Sequence, residues 1–176
     1  MTHKPNRLAS QFRQNSQIAL DNRHAFKLAA TTVISLVGSA GSGKTSLIEA
    51  AVRLAQNTSF GAIIGNLASQ RDAERLQQLG LRAIPVITDN LTAEHVQEVL
   101  SECELNRCDV LFIESNGNSA SPVEFDFGQA LRVAVFSVAG GDDKAAANPR
   151  LVADADLVVL TKSDLLEMID YMEKNR

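Results

Sequence analysis

The sequence predicts an α/β fold in which a doubly wound, mainly parallel sheet is flanked by helices. Six short apolar runs alternate with amphipathic segments, and several runs are continuously apolar, as in strands that are buried on both faces. Strands that alternate with helices in this way are joined by right-handed crossovers. With 176 residues, 45% hydrophobic and 22% charged, the chain has the size and composition of one globular domain.

The predicted elements follow one another with short connections. Residues 1–15 are polar and are expected to form a flexible N-terminal segment, and residues 16–30 are expected to form a lead-in helix. The predicted strands span residues 33–37, 62–64, 83–87, 110–113, 133–138 and 157–160. The predicted helices between them span residues 45–56, 71–79, 91–102 and 145–155. Residues 16–176 are therefore expected to form a single domain.

Charge and composition exclude several classes of protein. The net charge of −4 argues against a broad nucleic-acid-binding face. No apolar run approaches the ~18 residues that cross a bilayer, so we expect no membrane partner. The basic start lacks the apolar core of a signal peptide. Two cysteines, Cys103 and Cys108, stand outside zinc-motif spacing, and together these observations predict a cytoplasmic protein with reduced thiols.

A glycine-rich loop predicts phosphate binding. Residues 38–45 read GSAGSGKT and fit G-x-x-x-x-G-K-[ST] in full, between a predicted strand and a predicted helix. The glycines let backbone N–H groups face phosphate oxygens, Lys44 places a charge on the β- and γ-phosphates, and the Thr45 hydroxyl can ligate Mg²⁺. The expected nucleotide-binding residues of this loop are Gly38, Ser39, Ala40, Gly41, Ser42, Gly43, Lys44, Thr45 and Ser46. A glycine-rich turn with a chance lysine is the alternative.

A second motif near the end of the chain indicates that the base is guanine. Thr161, Lys162 and Asp164 follow the last predicted strand and resemble the [NT]-K-x-D signature. An aspartate there accepts hydrogen bonds from the N1–H and N2–H₂ edge of guanine, which adenine lacks. The alternative is that Ser163 and Asp164 cap the start of a helix.

The third motif is an apolar strand that ends in an acid. Residues 109–118 read DVLFIESNGN, and this is the Walker B form. Glu114 can hold Mg²⁺ directly or through water, and the Gly117 N–H can approach the γ-phosphate and act as a switch. A strand that ends in a solvated turn is the alternative.

These motifs, taken together, resemble the hydrogenase nickel-incorporation GTPases of the HypB type, which are related to the UreG urease accessory GTPases. Residues 15–26 (NSQIALDNRHAF) look like the lead-in helix of that family, and residues 65–75 (GNLASQRDAER) look like its switch I. Residues 112–118 (FIESNGN) and 137–144 (SVAGGDDK) resemble two further family segments, and Pro149 falls where the family has a proline. The resemblance covers about residues 15–166.

The resemblance implies a P-loop NTPase of the SIMIBI-like kind that binds GTP and hydrolyses it slowly. It also implies a homodimer in the nucleotide-bound state, and nickel delivery to a [NiFe]-hydrogenase precursor or service to another metalloenzyme accessory protein. Asp142, Asp143 and Lys144 are candidate base-side or partner contacts, with a solvated loop as the alternative.

The chain departs from the family at the metal site of the dimer interface. Asp89 and Asn90 stand where the family has a Cys-His pair, and Ser121 stands where it has the cysteine of a Cys-Pro segment. Nickel and zinc favour thiolate and imidazole, whereas these oxygen ligands suit harder ions. We therefore predict no nickel or zinc site of the family's type. His95 is expected to be a solvated helix residue, and Cys103 is expected to lie in the core.

The chain also departs from the family at a residue that is expected to act in catalysis. The switch I aspartate is replaced by Asn66, which predicts slow hydrolysis, and Asp72 can compensate in part. The catalytic set expected from the motifs and the resemblance is Lys44, Asn66, Asp72, Glu114 and Gly117. The sequence also ends soon after the guanine motif, so we expect a C-terminally shortened domain.

Two other functions stay open. The first is a catalytically weakened GTP-binding regulator that binds no transition metal. The second is a P-loop kinase for a small substrate, which would need an arginine-rich lid. Arg71 and Arg75 are the only close pair of arginines, and they suit switch I better.

Overall fold

The structure is a computed structural model of the 176-residue chain, and it describes residues 4–66, 70–117, 125–140 and 149–166, with side chains from residue 10 onward. The candidate residues Ser121, Asp142, Asp143 and Lys144 lie outside the described residues, as do residues 67–69 of the switch I segment.

A six-stranded parallel sheet confirms the predicted fold class. Its strands are, in chain order, β1 (Thr32–Val37), β2 (Phe60–Asn66), β3 (Arg82–Ile87), β4 (Val110–Glu114), β5 (Leu131–Ser137) and β6 (Leu157–Thr161). Their order across the sheet is β3-β2-β4-β1-β5-β6, and every neighbouring pair is parallel. All six predicted apolar runs are strands. The phosphate loop leaves β1 at the middle of the sheet, where the crossovers change direction.

Helices connect the strands of the sheet. They are α1 (Lys4–Leu28), α2 (Lys44–Leu54), α3 (Arg71–Gln78), α4 (Ala93–Val99) and α5 (Pro149–Ala153). The predicted helix over residues 91–102 is shorter than expected, because the chain tightens into a 3₁₀ turn at Leu100–Cys103 and Glu104 then adopts a left-handed φ of 45°. None of the described helices combines the length and apolarity that crossing a bilayer requires.

Apolar side chains fill both faces of the sheet. On one face Leu111 and Ile113 of β4 pack in a cluster that also contains Phe127. On the other face Phe112 packs in a cluster that contains Ile48 of α2. Successive residues of the same strand thus enter opposite cores, which is why the strand reads as continuously apolar.

The first helix begins at Lys4 and not at residue 16 as expected. Asn15 is buried, its Nδ2 donates to the Asp126 carbonyl at 2.8 Å, and its Oδ1 accepts from the Ala93 N–H at 2.8 Å. The Phe12 ring lies 5.2 Å from the Phe125 ring, centroid to centroid. These long-range contacts hold a polar segment in place, and a local apolar pattern does not reveal them.

Asn22 provides a test of this anchoring. Its side chain is fully buried, and its Nδ2 donates to the carbonyls of Ala93 at 2.8 Å and Phe127 at 3.3 Å. We expect Asn22→Ala to lower the free energy of unfolding by about 2–3 kcal/mol, because two partly buried carbonyls lose their donor. Asp21→Ala, at an exposed position next to it, should cost about 0.5 kcal/mol or less. Denaturant unfolding measures both values, and equal losses would contradict this role of Asn22.

Candidate functional site

The phosphate loop turns tightly between β1 and α2. Gly38 has a φ of +148°, and a β-carbon there would overlap the Val135 carbonyl. Gly43 has a φ of +96°, and a β-carbon there would lie 3.2 Å from Thr161 Oγ1. Both positions therefore require glycine, the first because β5 is close and the second because its backbone is left-handed.

Lys44 and Thr45 begin α2 and are both buried. The Lys44 ammonium donates to the Gly38 carbonyl at 2.9 Å and to the Ser39 carbonyl at 3.2 Å, so it lies across the loop. This places its charge beside the backbone N–H groups that the helix N-terminus presents. Ser42 is buried as well, whereas Ala40, Gly41 and Ser46 are exposed.

Glu114 faces the start of α2 from the end of β4. Strand pairing sets Glu114 beside Leu36 of β1, and both carboxylate oxygens lie 3.0–3.1 Å from Thr45 Oγ1. Burial raises the pKa of Glu114 to about 7, against the opposing effects of the Lys44 charge and the Thr45 hydrogen bond. A buried carboxylate next to a hydroxyl is an oxygen donor set of the kind that Mg²⁺ prefers. The residues present therefore fit a magnesium ion held by Thr45 and Glu114.

Gly117 lies directly over the phosphate loop. The Ala40 N–H donates to the Gly117 carbonyl at 3.2 Å. A β-carbon at Gly117 would lie 2.7 Å from the Ala40 nitrogen and 2.9 Å from Lys44 Nζ, and its φ is +66°. Only glycine brings the backbone this close to the loop.

The candidate guanine motif contacts the phosphate loop through two side chains. Thr161 Oγ1 lies 2.6 Å from the Ser42 carbonyl and 3.1 Å from the Phe136 carbonyl. Lys162 has a left-handed φ of 57°, and its ammonium donates to the Gly41 carbonyl at 3.0 Å. Asp164 is exposed in the turn Ser163–Leu165. The cap position of this turn is Lys162, and no side-chain hydrogen bond caps it.

The two switch I candidates occupy different positions. Asn66 ends β2, and its carbonyl accepts from the Thr88 N–H at 3.0 Å. Asp72 lies in the first turn of α3, accepts from Arg75 at 3.3 Å, and its charge acts to raise the pKa of Glu114. Arg75 also pairs with Glu49 of α2 at 2.9 Å. Of these two candidates, Asp72 is the one whose charge acts on Glu114.

Soft metal ligands do not converge in the described part of the chain, where no group of three His, Cys, Asp or Glu side chains could hold a metal ion. Cys103 lies in the core as predicted, and burial, first among the causes, raises its pKa to about 12. Burial also raises the pKa of the Cys108 thiol. His95 was expected to be solvated, but its Nδ1 lies 2.9 Å from Thr92 Oγ1 in a capping arrangement.

Asn116 is a site residue to which the sequence assigned no role. Its amide nitrogen donates to the carbonyl of Thr88, directly after β3, and its Oδ1 is buried without a hydrogen-bond partner among the residues that the structure describes. The sequence feature that could have indicated this role is a polar residue between Glu114 and Gly117, shortly after a buried strand.

Comparison with known proteins agrees with this architecture. A family model described as "CobW/HypB/UreG, nucleotide-binding domain" matches residues 32–176. The hydrogenase maturation factor HypB of Rhizobium leguminosarum bv. viciae is 36% identical over 162 residues, which cover 90% of this chain and 54% of that protein. The chain thus spans about half the length of that curated relative.

Two solved structures of relatives have the same fold. The hydrogenase maturation factor HypB from Archaeoglobus fulgidus superposes with a TM-score of 0.81 at 34% identity, covering 90% of this chain and 79% of that one. HypB from Helicobacter pylori in complex with nickel gives a TM-score of 0.82 at 29% identity, covering 89% of this chain and 76% of that one. The parallel sheet, its phosphate loop and these likenesses lead to one conclusion: the chain belongs to the CobW/HypB/UreG family of nucleotide-binding domains.

Proposed function

We propose that the chain binds GTP together with Mg²⁺ and hydrolyses it. The observation that carries this proposal is the arrangement of Lys44, Thr45 and Glu114, in which a buried cation, a hydroxyl and a buried carboxylate converge on the phosphate loop. A site that serves phosphoryl transfer works mainly by positioning and by electrostatic stabilisation, and these groups supply both.

Each residue has a distinct task in this proposal. Backbone N–H groups of the loop and the Lys44 ammonium bind the phosphate oxygens. Thr45 and Glu114 hold Mg²⁺, which when bound offsets the negative charge on the phosphates. Gly117 senses the γ-phosphate through its backbone, and Asp72 orients water near Glu114. Asp164 reads the base, while Thr161 and Lys162 hold its loop against the phosphate loop.

The partners are proposed from the relatives. Because those relatives are hydrogenase maturation factors, we propose that the chain assists metalloenzyme maturation as a nucleotide-switched homodimer in the cytoplasm. The Helicobacter pylori relative binds nickel, and nickel would be cargo for this chain as well. Asp89 and Asn90 offer oxygen donors, so the chain would not hold nickel through the thiolate and imidazole ligands that the family resemblance implies.

A second candidate is a GTP-binding regulator that does not hydrolyse GTP. Asn66 favours it, because an amide at the end of β2 cannot supply the negative charge of an aspartate.

Single-turnover GTP hydrolysis separates the two candidates. We expect slow phosphate release from the wild type and release on the order of tenfold faster from Asn66→Asp, which restores a carboxylate. Asn57→Asp is the matched control, since it adds the same charge at an exposed position before β2, and it should leave the rate unchanged. Phosphate release from Asn66→Asp, with none from the wild type, would favour the second candidate, the GTP-binding regulator. No GTP binding, or a preference for ATP in competition, would overturn the GTPase proposal.

A further inference from the structure

The β4 ladder ends immediately before two residues that contact different parts of the site. The Ser115 N–H donates to the Leu36 carbonyl at 3.0 Å, so β1 holds the chain up to Ser115. Asn116 and Gly117 are the first residues beyond this ladder. Gly117 lies over the phosphate loop, and the Asn116 side chain extends in the direction of β2 and β3.

On the phosphate side, the Gly117 carbonyl occupies a loop N–H that a γ-phosphate oxygen could take. The Ala40 N–H that donates to the Gly117 carbonyl belongs to the phosphate loop, and the backbone amides of such loops bind phosphate oxygens. One N–H cannot make two strong, linear hydrogen bonds at once. A phosphate oxygen that takes this donor therefore displaces the Gly117 carbonyl.

On the other side, Asn116 is wedged between two strands. Its amide nitrogen donates to the Thr88 carbonyl, and a β-carbon at Gly65 of β2 would lie 2.6 Å from its Oδ1. Oδ1 has no hydrogen-bond partner among the described residues. A half-buried polar side chain held by one directional bond in a tight space cannot shift without affecting its partner.

Thr88 passes that shift on to the turn that follows β3. The Thr88 hydroxyl accepts from the Asn90 N–H at 3.4 Å and lies 3.2 Å from the Asn90 carbonyl, so it organises residues 88–90. Beyond this turn, Asn15 fixes the first N–H of α4 at Ala93. The turn therefore lies between two fixed points, the end of the β2–β3 ladder and the start of α4.

We propose that Asn116 is a positioning residue that couples Gly117 to the turn at residues 88–90, so that this turn changes when a γ-phosphate is bound. The coupling rests on the proposed nucleotide binding. It assigns a task to the hydrogen bond from Asn116 to the Thr88 carbonyl, and it makes the β3–α4 connection the part of the surface that differs between the nucleotide states.

Hydrogen exchange of the full-length chain tests this coupling. Exchange in the peptide that covers residues 84–95 is compared without nucleotide, with Mg²⁺·GDP and with a non-hydrolysable Mg²⁺·GTP analogue, while calorimetry measures nucleotide affinity. In the wild type we expect the GTP analogue to change the exchange rate of the turn by about fivefold relative to GDP. Asn116→Val should abolish this difference and leave the affinity for the analogue within about threefold.

Two further variants sharpen the result. Asn116→Asp keeps the shape of the side chain but cannot donate to the Thr88 carbonyl, so it should lose the response as well. Thr88→Ser keeps both the carbonyl that accepts from Asn116 and the hydroxyl that organises the turn, so its turn should still respond. A full response in both Asn116 variants would overturn the coupling, and so would a wild type that binds the analogue with unchanged exchange. A wild type that binds no nucleotide would overturn the proposed function, and the coupling with it.

Discussion

Replacing Asp164 with asparagine is expected to weaken GTP binding on the order of 100-fold and to favour xanthosine triphosphate instead. A carboxylate accepts both N–H groups of the guanine edge, and two charge-assisted hydrogen bonds at about 1.5 kcal/mol or more each account for this factor. An asparagine presents one acceptor and one donor, which match the N1–H and the C2 carbonyl of xanthine. The exposed carboxylate in the turn after β6 needs no rearrangement of the core to make this change.

Calorimetric titration with GTP, xanthosine triphosphate and ATP measures the switch in preference. Asp154→Asn is the matched control, because it makes the same chemical change at another exposed carboxylate that precedes β6. This control should bind GTP like the wild type. Unchanged GTP affinity in Asp164→Asn would show that the base is read elsewhere.

Glu114→Gln is expected to change how stability depends on pH. Burial raises the pKa of Glu114 to about 7 from an ordinary 4.5, so between these values the folded chain holds a proton that the unfolded chain has lost. Stability from this group therefore falls as the pH rises from below 4.5 through 7. At pH 8 the ionisation of Glu114 lowers the free energy of unfolding by about 3 kcal/mol, whereas a neutral glutamine has no such effect.

Denaturant unfolding at pH 5 and pH 8, with a chelator and without nucleotide, measures this effect. The glutamine variant should exceed the wild type by less than about 1 kcal/mol at the lower pH and by up to about 3 kcal/mol at the higher pH. Glu98→Gln, at an exposed position of α4, controls for the loss of a charge and should follow the wild type at both values. A variant whose stability falls with pH as steeply as that of the wild type would contradict this account. Because Glu114 is also the proposed magnesium ligand, the same variant should lose GTP hydrolysis.

Local sequence patterns predicted most of the sheet. Six apolar runs became six strands because a strand buried on both faces must be continuously apolar, and this requirement is local. The helix ends were predicted less well. The helix after β3 stops at Val99, short of the predicted Glu102, because a 3₁₀ turn and a left-handed Glu104 follow, and neither has a strong sequence signal.

The start of α1 shows the limit of local reasoning. Residues 4–15 have too few apolar side chains for a helical pattern, yet the helix continues through them. Asn15 is satisfied by backbone groups that are 78 and 111 positions away in the sequence, and no local window contains those partners.

The sequence by itself determined the chemistry that is available: a phosphate loop, an acid after a buried strand, a guanine-type motif, and Asp89 and Asn90 where the family resemblance implies a Cys-His pair. Those features are short runs whose residue types and spacing carry the meaning. The tertiary structure decided which of them touch. It brought Glu114 to Thr45 and Thr161 to Ser42, and it linked Asn116 to Thr88, because strands far apart in the chain end at one edge of a parallel sheet. Such contacts depend on strand order and register, which residue patterns along the chain do not encode.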